Sequence, residues 1–288
     1  MAKSNYLPRG SIFIQLPRQD NPIYLNSTTF IKGVIMKTQE YIKAIEMRHS
    51  RRAYQNRHLD EATKSVIKEM VEAVNESTDL DLIFIDDATP AFRIFQGKFS
   101  MIAVCGPDSQ KSMEDAGYYG ESIVLQCVYH GLATCWVSGS YNENKAYEMT
   151  NLPRNKRLYC VITIGYPRER KNTLEKTMYK ATHKRSKTYQ DMFESCDEKL
   201  SEEYSYAMKL VEMAPSAVNR RPVKFRYENG ILSAHVEEPY SDQSIDFGIA
   251  KLHFVLGCKA KGINGHWTEN NTFEEIKTQK IKFEREEQ

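Results

Sequence analysis

Two stretches of the chain, DAGYYGESIVLQCVYHGLATCW at 115–136 and DFGIAKLHFVLGCKAKGINGHW at 246–267, align over 22 positions without a gap. Asp115 falls on Asp246, Gly117 on Gly248, Leu125 on Leu256, Cys127 on Cys258 and Gly131 on Gly262. Trp136 falls on Trp267, so both tryptophans of the chain occupy matching places. A repeat constrains the fold more than any single motif, because each copy must be one structural unit that buries its apolar face against a neighbour. Each copy reads as a long helix. Ile123, Val124, Cys127 and Val128 recur at helical spacing, and Leu252, Val255, Leu256 and Lys259 do so less strictly. Gly131 and Gly262 stand where a left-handed residue closes a helix.

A second correspondence lies upstream. EMVEAVNESTDLDLIF (69–84) and KLVEMAPSAVNRRPVKF (209–225) each begin as an apolar-periodic helix carrying Val-Glu and end in an extended run. Strands are expected at Met101–Cys105, Tyr159–Ile164, Lys224–Tyr227 and Ile231–Val236, from their β-branched and aromatic content. The order helix, loop, strand, long helix therefore occurs twice, and the expected fold class is α+β with two related halves. The first half is placed at 36–195 and the shorter second half at 196–288. The halves are expected to pack as an intramolecular pseudo-dimer, because each long apolar helix needs a partner face. Residues 1–35 carry several prolines and no sustained periodicity, and they read as an N-terminal extension outside the fold. The folded part is expected to open near Met36, where MKTQEYIKAIEMRHS has amphipathic helical spacing.

The halves differ in what they could bind. Only the first carries RHSRRAY, in which Arg48, Ser50 and Arg52 alternate and would project to one side of an extended segment. Two forked guanidinium groups and a hydroxyl suit a phosphate monoester. The competing reading is a solvated basic face. With 40 basic and 38 acidic residues in 288, the net charge of +2 argues against nucleic acid. The six cysteines include no C-x-x-C pair and lie mostly in apolar runs, as buried thiols of a reducing compartment do. They form no zinc-ligand spacing with histidine. No apolar run is long enough to span a bilayer, and a cytoplasmic protein with no membrane partner is expected.

Taken with these pieces, the chain resembles the FMN-dependent nitroreductase family. RHSRRAY resembles its Arg-x-Ser-x-Arg opening, and APSAVNRRPVKF (214–225) its Ala-Pro-Ser-x-x-Asn loop. GYYGESIVLQCVYHGLATCWVSG resembles its central helix, VITIGYP (161–167) its Ile-Gly-Tyr-Pro strand, and KRSKTYQDMF (184–193) its late basic segment. In ordinary members the Pro-Ser-Asn loop precedes the central helix, and a flavin lies at a dimer interface. Here the loop comes in the second repeat, as in the single-chain, fused-dimer branch known as TM nitroreductases. The resemblance thus implies a nitroreductase-like fold with one complete flavin site per chain. It also implies that the chain is monomeric, because the dimer interface is intramolecular.

The same resemblance implies roles. Arg48, Ser50 and Arg52 would bind the FMN phosphate, with His49 beside them and Arg185 and Lys187 completing the site. Pro215, Ser216, Ala217 and Asn219 would lie along the isoalloxazine ring. Trp136, Val137, Ser138 and Gly139 would pass near its reactive edge, although Trp136 reads equally well as a core aromatic. Arg220 and Arg221 stand where the family commonly has Gln before Pro, and flavin, substrate and water all remain open as their partner. The implied activity moves electrons from NADH or NADPH through FMN to a small aromatic or conjugated acceptor, by ping-pong kinetics. No catalytic side chain and no metal are expected, because the cofactor carries the chemistry. A non-catalytic flavin-binding or sensing protein is the alternative.

Overall fold

The computed structural model describes residues 36–152, 156–183 and 187–276. The expected extension at 1–35 and Arg185 lie outside the described residues. Met36, the expected first residue of the fold, is buried in the main apolar cluster.

The first half runs α1 (Thr38–Met47), α2 (Glu61–Ser77), β1 (Ile83–Ile85), β2 (Ser100–Gly106), α3 (Gln110–Tyr129), β3 (Ala133–Val137), α4 (Glu143–Thr150), β4 (Arg157–Gly165) and α5 (Thr173–His183). Its strands form one antiparallel sheet in the order β1-β2-β4-β3. Beyond α5 the chain runs β5 (Phe193–Cys196), which straddles the expected boundary at 195/196, and then α6 (Glu202–Met213), β6 (Lys224–Glu228), β7 (Ile231–His235), α7 (Asp242–Ala260), β8 (Gly265–Trp267) and β9 (Phe273–Glu275). Strands β5-β6-β7 pair in that order, and β8 pairs with β9. A bridge between Ser233 and Thr272 then sets β9 beside β7. Strand for strand, β6-β7-β9-β8 repeats β1-β2-β4-β3. Trp136 faces Ile162 in one sheet, and Trp267 faces Phe273 at the matching place in the other.

Local chemistry explains the boundaries. Asp60, Ser109 and Ser201 cap α2, α3 and α6 by accepting from backbone N–H groups of the first turn. Asn229 and Gly230 join β6 to β7 with positive φ at both positions, the two-residue turn that matches strand twist. The two repeat glycines behave as expected. Gly131 (φ 83°) and Gly262 (φ 86°) follow the last turns of α3 and α7.

Helices α3 and α7 lie against each other at the centre of the molecule and are buried along most of their length. Their crossing is reciprocal. A Cβ on Gly117 would sit 2.0 Å from the Ile245 carbonyl oxygen, and one on Gly248 would sit 1.8 Å from that of Glu114. The glycines are repeat partners, and so are the residues whose carbonyls they meet. The two close approaches are therefore reciprocal between α3 and α7. Neither backbone could approach so closely with a side chain in the way.

Candidate functional site

The basic segment leaves α1 at Arg48, whose N–H still bonds to the Ala44 carbonyl oxygen. It then runs beside β3, with Ser50 bridged in parallel to Thr134 and the Arg51 N–H donating to the Thr134 carbonyl oxygen at 2.9 Å. This placing beside β3 gives the extended form in which residues 48, 50 and 52 share a side. All three bear on the titration of one buried thiol. Burial pushes the Cys135 pKa up, while the Arg52 and Arg48 charges and a hydrogen bond with Ser50 act against it.

Glu175, on α5, holds this segment in shape. Its Oε1 accepts from the Arg52 N–H at 2.7 Å, the Ala53 N–H at 3.2 Å and the Arg51 Nε at 3.1 Å. Its Oε2 accepts from the Asn172 N–H, and Asn172 Oδ1 accepts in return from the Glu175 N–H, forming a capping box on α5. Burial pushes this carboxyl up, but the Arg52 and Asn172 N–H groups and the Arg51 guanidinium outweigh it and hold it below the usual range. Arg51 also reaches the Arg168 carbonyl oxygen at 2.9 Å. Arg51 is therefore spent on structure. The Nε atoms of Arg48 and Arg52 are both buried and have no hydrogen-bond partner among the described residues. A buried donor left in that state is costly unless something else accepts from it. His49 is exposed at the surface of the segment.

Behind Arg48 lies Glu121 of α3, fully buried, with one oxygen 3.7 Å from Arg48 Nε. Its other oxygen accepts from the Trp136 indole N–H at 2.7 Å. The indole lies over Gly120, where a Cβ would stand 2.5 Å from Trp136 Cη2, so the glycine makes room for the ring. Trp136 is half-buried, which accommodates both roles the sequence allowed it. Val137 turns its side chain into the core, so it can offer a ligand only backbone, and Ser138 and Gly139 are exposed at the end of β3.

The Pro-Ser-Asn loop comes from the second half. Ala217 N–H donates to both oxygens of Asp246 on α7, at 3.1 Å each. Burial pushes Asp246 up to about 8, against the lowering effect of that N–H. Ser216 Oγ accepts from the Arg221 N–H at 2.9 Å, closing the loop. Val218 (φ 44°), Asn219 (φ 58°) and Arg221 (φ 49°) all occupy the left-handed region, which a β-branched residue such as valine rarely enters. Strain of this kind concentrates at binding loops. Val218 is held 62% exposed at the tip.

The loop is tied back to the first half. Asn219 Nδ2 donates to the Thr182 carbonyl oxygen at 3.2 Å, near the end of α5. Lys187 Nζ donates to the Arg221 carbonyl oxygen at 3.4 Å, and the Arg221 guanidinium donates to the Lys187 carbonyl oxygen. Arg221, whose partner the sequence left open, thus fastens the loop, while Arg220 is exposed. Helix α5 spans the gap. Glu175 grips the basic segment at one end and Thr182 the loop at the other, a rise of about 10 Å. Pro215, Ser216, Arg221 and Asp246 also line a small pocket with Met192 and Val211.

An antiparallel sheet packed with the paired helices α3 and α7 defines an α+β fold. The chain matches the model of the family described as "Putative TM nitroreductase" over residues 40–258, and it belongs to that family. Among solved structures it is similar to a "putative nitroreductase" from Thermotoga maritima. That likeness has 24% identity and a TM-score of 0.56, covering 82% of this chain and 93% of that one. It is also similar to a nitroreductase family protein from Clostridium difficile 630, at 20% identity over 57% of this chain and all of the other, with a TM-score of 0.40. An FMN-dependent nitroreductase from Clostridium difficile R20291 matches at 20% identity over 46% of this chain and 90% of its own, with a TM-score of 0.37. A comparison with curated proteins finds no match. Among the described residues, no helix is long and apolar enough to cross a membrane.

Two residues that organise the site were not singled out from sequence. Glu175 had a readable signal, the Asn-x-x-Glu box that opens α5. Glu121 had a weaker one, a single acid inside an otherwise apolar and small-residue stretch of α3.

Proposed function

We propose that the protein is an FMN-dependent oxidoreductase that passes electrons from NADH or NADPH to a small aromatic or conjugated acceptor. The observation that carries this is that the buried Nε atoms of Arg48 and Arg52 make no hydrogen bond among the described residues, Arg48 having only the Glu121 carboxylate, 3.7 Å away. The two arginines flank Ser50 on a segment whose other arginine is already engaged. Such donors fit the phosphate of FMN, and a phosphate dianion would complete their hydrogen bonding. Arg185 is assigned to the same end of the cofactor, whereas Lys187, which the sequence also assigned there, is bonded to the Arg221 carbonyl oxygen of the loop and is assigned to the loop end. The loop bearing Pro215, Ser216, Ala217 and Asn219 is assigned to its ring, with Trp136, Ser138 and Gly139 on the opposite side.

When bound, FMN supplies a ring that takes electrons from a nicotinamide and gives them to a second substrate at the same face. The chain's own work is then placement. Glu175 shapes the anion end, Asp246 and Arg221 hold the loop in its strained form, and Val218 keeps its tip open to solvent. No side chain is assigned as a general acid or base.

The reciprocal contact of Gly117 and Gly248 supports reading the chain as an intramolecular pseudo-dimer, with 36–195 and 196–288 as its halves. The second half would supply the loop that a partner subunit supplies elsewhere. Purified protein should be yellow, and NADH or NADPH should bleach it in stopped flow; a yellow protein that neither donor reduces would instead be a flavin-binding or sensing protein. Replacing both Arg48 and Arg52 by Ala should weaken FMN binding on the order of a hundredfold or more, and unchanged retention would refute the phosphate assignment.

A further inference from the structure

Glu121 presents a difficulty for the phosphate reading. A fully buried carboxylate 3.7 Å from Arg48 would neutralise the charge that the site needs. The second half contributes the answer. His253, on α7, is also fully buried, and both of its ring nitrogens face acceptors. Nδ1 lies 2.9 Å from the Leu210 carbonyl oxygen, and Nε2 lies 3.2 Å from Glu121 Oε1.

The protons can be counted. A carbonyl oxygen only accepts, so Nδ1 carries a hydrogen. Nε2 and Oε1 cannot meet lone pair to lone pair, so one more proton lies between them. If it rests on nitrogen, the pair is imidazolium and carboxylate; if it rests on oxygen, the pair is imidazole and carboxylic acid. In both cases the pair carries no net charge. The Trp136 N–H satisfies the other oxygen of Glu121 without changing that sum.

We infer that His253 is a positioning and charge-balancing residue through which the second half controls the anion site of the first. By sharing a proton with Glu121, it leaves the Arg48 charge uncompensated and available to a phosphate. The inference rests on the reading of Arg48 and Arg52 as phosphate ligands. It gives the second half a task at the phosphate end, in addition to the loop it places at the ring end.

The test compares FMN with riboflavin, which has the same ring and no phosphate, by fluorescence titration of the apoprotein. His253→Gln keeps a donor toward Glu121 but removes the proton that balances it. It should weaken FMN on the order of tenfold to a hundredfold and leave riboflavin within about twofold. Glu121→Gln restores neutrality, since its amide can accept from Trp136 and donate to His253. It should keep FMN affinity within about twofold alone and should rescue His253→Gln when the two are combined. An equal loss for both ligands, no rescue in the double variant, or a loss of tenfold or more in Glu121→Gln alone would overturn the inference; the last outcome decides even if His253→Gln does not fold. Arg48→Ala with Arg52→Ala separates this from the underlying reading. If that variant lowers FMN selectively while His253→Gln does not, only the inference falls. If it leaves the preference for FMN over riboflavin unchanged, the phosphate reading and the inference fall together.

Discussion

Trp136 faces Ile162 in one sheet and Trp267 faces Phe273 in another, and the surroundings of the two indoles differ. Trp136 lies over Gly120, donates to a carboxylate and remains half-buried beside the basic segment. At the position equivalent to Gly120, the second half has Lys251. Its Nζ reaches Glu114 at 2.5 Å and Asn271 Oδ1 at 2.6 Å and lies 4.1 Å from the centre of the Phe247 ring. Trp267 donates only to the Lys251 carbonyl oxygen and joins Phe254 and Phe273 in an aromatic cluster. Trp136 thus borders a basic segment through Glu121, which it shares with Arg48. Trp267 borders an ion pair and rings instead. The two sheets carry different side chains at these places, and the candidate site is read beside only one of them.

The helix crossing itself should be the most sensitive part. Gly117→Ala and Gly248→Ala each force a Cβ into a backbone carbonyl across the α3–α7 crossing. Each should cost about 3 kcal/mol, a Tm loss of roughly 6–12 °C. Because the two contacts are reciprocal, the losses should be similar, and the double variant should lose less than their sum. Calorimetry on the three variants would check this, and a large inequality would break that reciprocity.

The loop comes next. Asp246 has its folded pKa raised from the ordinary carboxyl value to about 8, so the folded state holds its proton longer than the unfolded chain does. Its contribution to stability is complete below pH ~4 and is lost as pH rises toward 8. Asp246→Asn should match the parent near pH 4 and become progressively the more stable of the two as pH rises toward 9, read from urea midpoints. Asp115, its repeat partner, is also pushed up by burial but has Lys111 2.7 Å away. Asp115→Asn should show the smaller gain, which sharpens the difference between the halves.

The indoles give the smallest effects. Trp136→Phe leaves the Glu121 oxygen without its donor and should cost about 2 kcal/mol, whereas Trp267→Phe loses a bond to a carbonyl and should cost about 1 kcal/mol. Only the first should alter the affinity for FMN, by the same titration.

Much of this was legible before the structure. The repeat revealed the paired helices and their glycine ends, because a buried helix with a left-handed terminus leaves a local pattern. The alternation of Arg48, Ser50 and Arg52 was readable for the same reason. What could not be read were the partners that act across the crossing. His253 and Glu121 are 132 residues apart, and each on its own is one polar residue in an apolar helix. Their meaning comes from the α3–α7 packing, which brings a carboxylate, an imidazole and a guanidinium together. Arg221 was ambiguous because its task is set by the Lys187 carbonyl, a backbone group that no side-chain pattern announces.

The central claim is that one chain builds one flavin site from both halves. Sedimentation of the FMN-loaded protein, followed at a flavin wavelength and a protein wavelength, tests it most directly. The account predicts a species of 33.4 kDa chain mass carrying one FMN. Two FMN on that species, or flavin that sediments only with a dimer, would contradict it.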